Sequence, residues 1–213
     1  SESLGAQYNG RMVGHLGDVA CFSFNGNKLI TTGGGGMIVT NNKESATRAK
    51  YLTTQAKDDP VEYIHGEIGY NFRLTNILAA LGVAQMEQLD KFLEKKRDIA
   101  RRYDEVLAGV PGIIPMAEAP WASSAFWLYT VRVDKNRYGS DSRDLLAFLQ
   151  HQGVQSRPLW EPLHLSIPHK TNQAWDVQVA DLLYSQCLSL PCSVGLSEEE
   201  QERVIRLVAK HDG

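Results

Sequence analysis

The stretch Phe22-Ser23-Phe24-Asn25-Gly26-Asn27-Lys28-Leu29-Ile30-Thr31-Thr32-Gly33-Gly34-Gly35-Gly36 constrains this chain more than any other. Apolar residues give way to polar ones and then to a run of glycines, with a single lysine at the centre. Upstream, Asp18 to Phe24 reads as a buried strand, and downstream Met37-Ile38-Val39-Thr40 reads as the strand that follows. Lys28 therefore lies in a short connection between two strands, where backbone can be held rigidly. A lysine held in that way can shed solvation and serve as an amine nucleophile. A solvent-exposed loop lysine fits the same residues. Ser23 alternates with Phe22 and Phe24, so its hydroxyl faces away from the rings. The glycines permit close backbone approach or positive φ. They do not make a P-loop, because no G-x-x-x-x-G-K-[ST] spacing surrounds Lys28.

The 213 residues can bury a sizeable core as one or two domains. With 43% hydrophobic and 22% charged residues, the composition is that of an ordinary globular protein. A net charge of −3 gives no electrostatic reason to expect nucleic acid or an anionic membrane as partner. No apolar run approaches the ~20 residues needed to cross a bilayer. Ser1-Glu2-Ser3-Leu4-Gly5 has neither the basic nor the apolar region of a signal peptide. Cys21, Cys187 and Cys192 lack metal-ligand spacing and fit free thiols in a reducing cytoplasm. His15, His65, His151, His164, His169 and His211 are scattered, with no H-E-x-x-H or C-x-x-C, so no metal site is expected.

Asn42 to Gln55 reads as a helix capped by the asparagine, with Ala46, Ala49, Tyr51 and Leu52 as buried positions, and Asp58-Asp59-Pro60 breaks it. Tyr63 to Arg73 is an irregular connection. From Leu74 to about Ala108 apolar residues recur mostly every three or four positions, which predicts one long helix. Ala79, Ala80, Gly82 and Ala84 are small enough there for close packing, and Gly109 and Pro111-Gly112 end the helix. Beyond it lies an α/β pattern. Phe126 to Val133 reads as a strand and Ser142 to Gln152 as a helix burying Leu145, Leu146, Phe148 and Leu149. Val154 to Arg157 is a second strand, Trp175 to Gln186 a helix, and Cys187 to Pro191 a short strand. Ser197-Glu198-Glu199-Glu200 is a capping box opening a last helix with apolar Val204, Ile205, Leu207 and Val208.

Four words in this text resemble the DegT/DnrJ/EryC1/StrS family of sugar aminotransferases, which use pyridoxal 5'-phosphate. They are Asn25-Gly26-Asn27-Lys28, Ile30-Thr31-Thr32-Gly33-Gly34-Gly35-Gly36, Gly69-Tyr70-Asn71-Phe72-Arg73 and Arg157-Pro158-Leu159-Trp160-Glu161-Pro162-Leu163-His164. Within the family the chain is most similar to 4-aminotransferases acting on nucleotide-linked 4-keto-6-deoxy-N-acetylhexosamines, of the bacillosamine and legionaminic acid type. Many relatives have glutamate where Gly34 stands, and the all-glycine version suits the N-acetylhexosamine branch.

The resemblance implies an α/β fold: the C-terminal part of a fold type I, aspartate aminotransferase-like transferase. Residues 1–90 would be the end of the large cofactor-binding domain, and residues 91–213 a linking helix with a small α/β domain. Ser1 to Ala6 matches the tail of a family segment whose aspartate, facing the cofactor's pyridine nitrogen, would precede residue 1, so a C-terminal half is expected. The resemblance makes Lys28 the amine that carries pyridoxal 5'-phosphate, with Ser23 and Asn71 at its phosphate. Arg73 and His164 would meet the substrate. Read without the family, Ser23 is also a satisfied strand serine, Arg73 an exposed arginine at a helix start, and His164 a structural loop histidine. Glutamate and a nucleotide sugar are the implied substrates, with a 4-amino sugar for surface glycans as product. A cytoplasmic homodimer with shared sites is implied. A related branch that dehydrates sugars has histidine at the lysine position, so Lys28 points to transamination. A catalytically incompetent fragment, or a non-enzymatic module of the same fold, remains the alternative.

Overall fold

In the computed structural model, residues 1–210 are described; His211 lies outside them. The elements run in the order β1 (Gln7–Tyr8), β2 (Arg11–Met12), β3 (Ala20–Ser23), β4 (Gly36–Val39), α1 (Lys43–Thr53), β5 (Lys57–Asp59), β6 (Ile64–His65), α2 (Asn76–Met86) and α3 (Leu89–Leu107). They continue as β7 (Ile113–Pro115), β8 (Ala122–Ser123), β9 (Tyr129–Val133), α4 (Lys135–Tyr138), α5 (Ser142–His151), β10 (Arg157–Pro158), α6 (Gln178–Gln186), β11 (Cys187–Leu190) and α7 (Glu198–Ala209). The chain divides into two units. One holds Ser1–Glu94 with Glu118–Trp127, and the other holds Lys95–Ala117 with the residues from Leu128 onward.

In the first unit β3 and β4 pair antiparallel, with Phe22 opposite Met37 and Ser23 opposite Gly36. A separate small sheet has the order β2-β1-β8, and β5 pairs with β6. α1 starts where Asn42 accepts the amide of Ser45 at 2.9 Å, as the cap predicted. Its expected buried face is corrected by the structure: α1 has no buried residue, because Ala46 and Ala49 line an open hollow instead. α2 likewise buries none of its residues, and Ile77 is 82% exposed.

The single helix expected from Leu74 to Ala108 is two. Gln88 donates to the carbonyl of Gln85, a tightened last turn that closes α2 before α3 begins at Leu89. Neither glycine nor proline stands at that break, so nothing in the sequence marked it. The strand expected from Phe126 starts only at Tyr129, because Phe126 has a positive φ of 44° that ends extended backbone there.

The second unit is built on an antiparallel sheet of order β10-β11-β9-β7. All four residues of β11 are buried, whereas β9 alternates, burying Tyr129, Val131 and Val133. Ile99, Tyr103 and Leu107 of α3, Leu145 and Leu149 of α5, and Val204, Ile205 and Val208 of α7 complete the core. Leu146, Phe148 and Leu207 reach only half-burial. Buried polar ends find partners: Tyr103 stacks on Tyr129 at 4.7 Å and donates to the Pro191 carbonyl at 2.9 Å, while Tyr129 donates to Asp104 at 2.7 Å. Burial pushes both phenols well above their ordinary pKa, Tyr129 further through its bond to Asp104. The capping box at α7 forms as read, with Ser197 Oγ accepting from the Glu200 amide and the Ser197 amide donating to Glu200. The strand expected at Val154 to Arg157 and broken by Pro158 lies instead at Arg157–Pro158, with Pro158 itself paired opposite Leu188 of β11.

Candidate active site

The loop between β3 and β4 is tied at its base and again at its tip. Phe24 donates to the Gly35 carbonyl at 2.9 Å, and the Phe24 carbonyl receives the Thr32 amide at 3.0 Å and the Thr31 hydroxyl at 3.2 Å. Phe24 and Ile30 are buried on either side of the tip. At the tip Lys28 N donates to the Asn25 carbonyl at 3.0 Å, closing a turn. The glycine run supplies both of the properties expected of it. Gly33 and Gly35 have φ of 80° and 92°, and at Gly36 a Cβ would fall 2.4 Å from the Phe22 carbonyl oxygen. Gly34 needs neither, since a Cβ there meets nothing within 4 Å.

On this frame the Lys28 side chain is only 12% exposed. Its Nζ lies 3.0 Å from Glu2 Oε1 and 3.9 Å from the centroid of the Trp127 ring. The same indole donates from Nε1 to the Asn27 carbonyl at 2.7 Å. The amine is thus held by a carboxylate and an aromatic face rather than released to water, worth about 0.5–2 kcal/mol for the cation–π contact. Sequence reasoning missed both partners. Trp127 was absorbed into a predicted strand and Glu2 into a terminal segment, and no spacing relates positions 2, 28 and 127.

The other candidate residues fall in three places. Ser23, half-buried at the end of β3, belongs to the Lys28 loop, where its Oγ accepts the Asn25 amide at 3.4 Å. Asn71 and Arg73 are exposed on the connection before α2, joined by an Arg73 Nε to Asn71 Oδ1 contact of 3.5 Å. Arg73 also lines an open, mainly apolar hollow of about 1030 Å³ with residues of β3, β4 and α1, whose lining includes neither Lys28 nor Ser23. His164 belongs to the second unit. Its Nε2 lies 2.8 Å from Asp181 Oδ1, and both atoms are closed to solvent with no other partner among the described residues.

The site is a strand–loop–strand of an α/β protein that presents one sequestered lysine amine, framed by glycines at positive φ or crowded positions. The chain belongs to the DegT/DnrJ/EryC1/StrS aminotransferase family, whose sequence profile matches residues 1–209. It is 39% identical over 216 residues to EpsN of Bacillus subtilis (strain 168), assigned as a pyridoxal phosphate-dependent aminotransferase, covering 98% of this chain and 54% of that protein. It is 37% identical over 207 residues to the GDP-perosamine synthase of Caulobacter vibrioides, covering 96% of this chain and 55% of that one. Its fold matches that of PseC from Helicobacter pylori, an aminotransferase of pseudaminic acid biosynthesis, with a TM-score of 0.90 at 27% identity, over 99% of this chain and 57% of PseC. The chain therefore spans about half the length of the relatives it matches. No helix among the described residues is long and apolar enough to cross a membrane.

Proposed function

We propose that this chain carries the lysine-bearing part of a pyridoxal 5'-phosphate-dependent sugar aminotransferase. The reaction moves an amino group from glutamate to the 4-keto group of a nucleotide-linked 6-deoxy-N-acetylhexosamine, for surface glycan synthesis in the cytoplasm. The observation that carries this reading is the sequestered amine of Lys28, 3.0 Å from Glu2 and stacked on Trp127. The names of relatives support a nucleotide-linked sugar as substrate, GDP-perosamine synthases among them, and a Campylobacter jejuni transaminase that is 32% identical is named for a UDP-linked 4-amino-4,6-dideoxy-N-acetyl sugar, the N-acetyl kind proposed here.

The residues present fit the cofactor by the chemistry of their donors. A primary amine meets an aldehyde, and a hydroxyl on the same loop meets a phosphate. When bound, pyridoxal 5'-phosphate supplies the carbonyl and the electron sink. Glu2 orients Lys28 Nζ through an ion pair of 3.0 Å, so the amine that would meet the cofactor's aldehyde is held at a fixed place on the loop. With the cofactor bound, the same Nζ would be the group that moves a proton to and from the α-carbon of the amino donor. Trp127 keeps the tip of the loop in place by holding the Asn27 carbonyl. Ser23 and Asn71 offer neutral donors to the cofactor phosphate. Arg73 brings a charged fork suited to the phosphates of the nucleotide, and His164 is assigned to the substrate side. Asn71 and Arg73 stand exposed, which suits residues that complete a site in a homodimer.

The exposure of the same two residues, with no buried position in α1 or α2, also favours a second reading in which a chain of this extent is inert by itself. The test adds pyridoxal 5'-phosphate to the purified chain. The reading expects a band near ~410–430 nm, reducible by borohydride onto the Lys28 peptide and absent in Lys28→Ala. A band that persists in Lys28→Ala overturns the assignment of the lysine. A band that requires co-expression with the N-terminal half of a relative supports the second reading for the isolated chain and the first for the whole enzyme.

A further inference from the structure

Away from the Lys28 loop, the second unit buries a lysine beside a thiol. Lys96 of α3 is 4% exposed and Cys192, two residues past β11, is 7% exposed. The lysine Nζ donates to the Cys192 carbonyl at 2.5 Å and lies 3.1 Å from its Sγ. Lysine seldom ends inside a protein. Here the carbonyl fixes the nitrogen while the sulfur of the same residue faces it, and the Tyr103 bond to the neighbouring Pro191 carbonyl holds the segment still. The two residues are 96 positions apart in the chain, so the fold alone brings them together.

We propose that Lys96 and Cys192 are a covalent modification site, at which dioxygen joins nitrogen and sulfur through one bridging oxygen. One S–H and one N–H bond break, and one S–O and one O–N bond form. The thiol sulfur and the amine nitrogen each give up two electrons, and dioxygen accepts all four. One of its atoms stays in the bridge and the other leaves with the two hydrogens as water. The gap between Nζ and Sγ is close to what a single oxygen bonded to both spans, and dioxygen is small and uncharged enough to enter a packed interior. Thiol reductants reverse the step, returning amine, thiol and water. The bridge ties α3 to the segment leading into α7. It closes a long loop in the unfolded chain, so the oxidised form unfolds at higher temperature than the reduced form.

The experiment compares the full chain held in air-saturated buffer with the same chain kept in dithiothreitol. The bridged form is expected to be about 14 Da heavier, one oxygen gained and two hydrogens lost, and to return to the reduced mass with dithiothreitol. Digestion should yield the Lys96 peptide joined to the Cys192 peptide. Cys192→Ser and Lys96→Arg should each abolish the heavier form, and Cys21→Ser should retain it. Because a substitution at Lys96 can unfold this unit, the unsubstituted protein is also alkylated in denaturant, both after air exposure and after dithiothreitol. In the oxidised sample iodoacetamide should label Cys21 and Cys187 and leave Cys192 unlabelled. The proposal is overturned if all three thiols are alkylated after oxygen exposure, if Cys192 carries oxygen without a link to Lys96, or if the added mass survives in Lys96→Arg.

Discussion

Trp127 holds Lys28 in two ways at once: its Nε1 donates to the carbonyl of the preceding Asn27 at 2.7 Å, and its ring face lies 3.9 Å from Lys28 Nζ. The backbone and the side-chain end of the candidate nucleophile therefore depend on a residue 99 positions downstream. This makes Trp127 a positioning residue whose two contributions are separable by substitution.

Trp127→Phe keeps an aromatic face and removes the N–H. The expected loss is about 1 kcal/mol, roughly fivefold, in the yield of borohydride-trapped cofactor on Lys28 at subsaturating cofactor. Trp127→Ala removes both contacts and should lose more, by a further 0.5–2 kcal/mol or so. A purely structural role would lower the melting temperature of both variants in step with the trapped yield. A positioning role lowers the yield at temperatures where both variants remain folded, because the ring and its N–H hold the amine and the loop tip in place.

The glycine run divides by position. Gly36→Ala puts a methyl 2.4 Å from the Phe22 carbonyl oxygen, in the last rung of the β3–β4 ladder, and should cost about 1–3 kcal/mol in denaturant unfolding. Gly34→Glu meets open space and has no positive φ to strain, so stability within about 0.5 kcal/mol of the parent is expected. The second substitution introduces the glutamate that the family resemblance implies for many relatives at this position. If it changes which nucleotide sugar is turned over while leaving unfolding unaltered, Gly34 acts on specificity rather than on folding.

Much of this could be read from the sequence where local chemistry decides. The strands flanking Lys28, the Asn42 cap and the Ser197–Glu200 box are set by residues within a few positions of one another and form where their patterns placed them, although the strand before Lys28 is not buried as expected: β3 has no buried residue. Periodicity misled where it had no partner to answer to. Ala46 and Ala49 have helical spacing, yet they face an open hollow, and the apolar residues of α2 remain unburied. The break between α2 and α3 has no glycine or proline to announce it. The Glu2 and Trp127 contacts to Lys28 are long-range, so no window of sequence contains them.

Acid should probe the start of α5. Asp141 caps this helix and is held down to about 2, first by the Asp144 amide and then by Lys135 Nζ at 3.0 Å. A depressed carboxylate contributes stability that is fully present above its ordinary pKa near 4 and is lost as pH falls through the folded value. Unfolding free energy of the parent should therefore fall between pH 4 and pH 2 more than that of Asp141→Asn, which keeps a cap but cannot titrate. Equal acid sensitivity in the two proteins would remove Asp141 from the account. The size of the effect is modest, since the Lys135 pair is exposed and screened.

His164 allows its two roles to be told apart. Its Nε2 and Asp181 Oδ1 face each other at 2.8 Å, and neither has another partner among the described residues. Removing the ring in His164→Ala deletes the partner of Asp181, whose side chain is 41% exposed and open to water, so the stability cost should be no more than about 1 kcal/mol. Asp181→Asn preserves a hydrogen-bonding group opposite the ring and should cost less. A substrate-side histidine predicts a rise in KM for the nucleotide sugar in His164→Ala that persists after the stability loss is offset by lower temperature, with the KM for glutamate unchanged. A structural histidine predicts that both constants return to parental values under the same conditions, because the refolded loop then presents the substrate with the same surface.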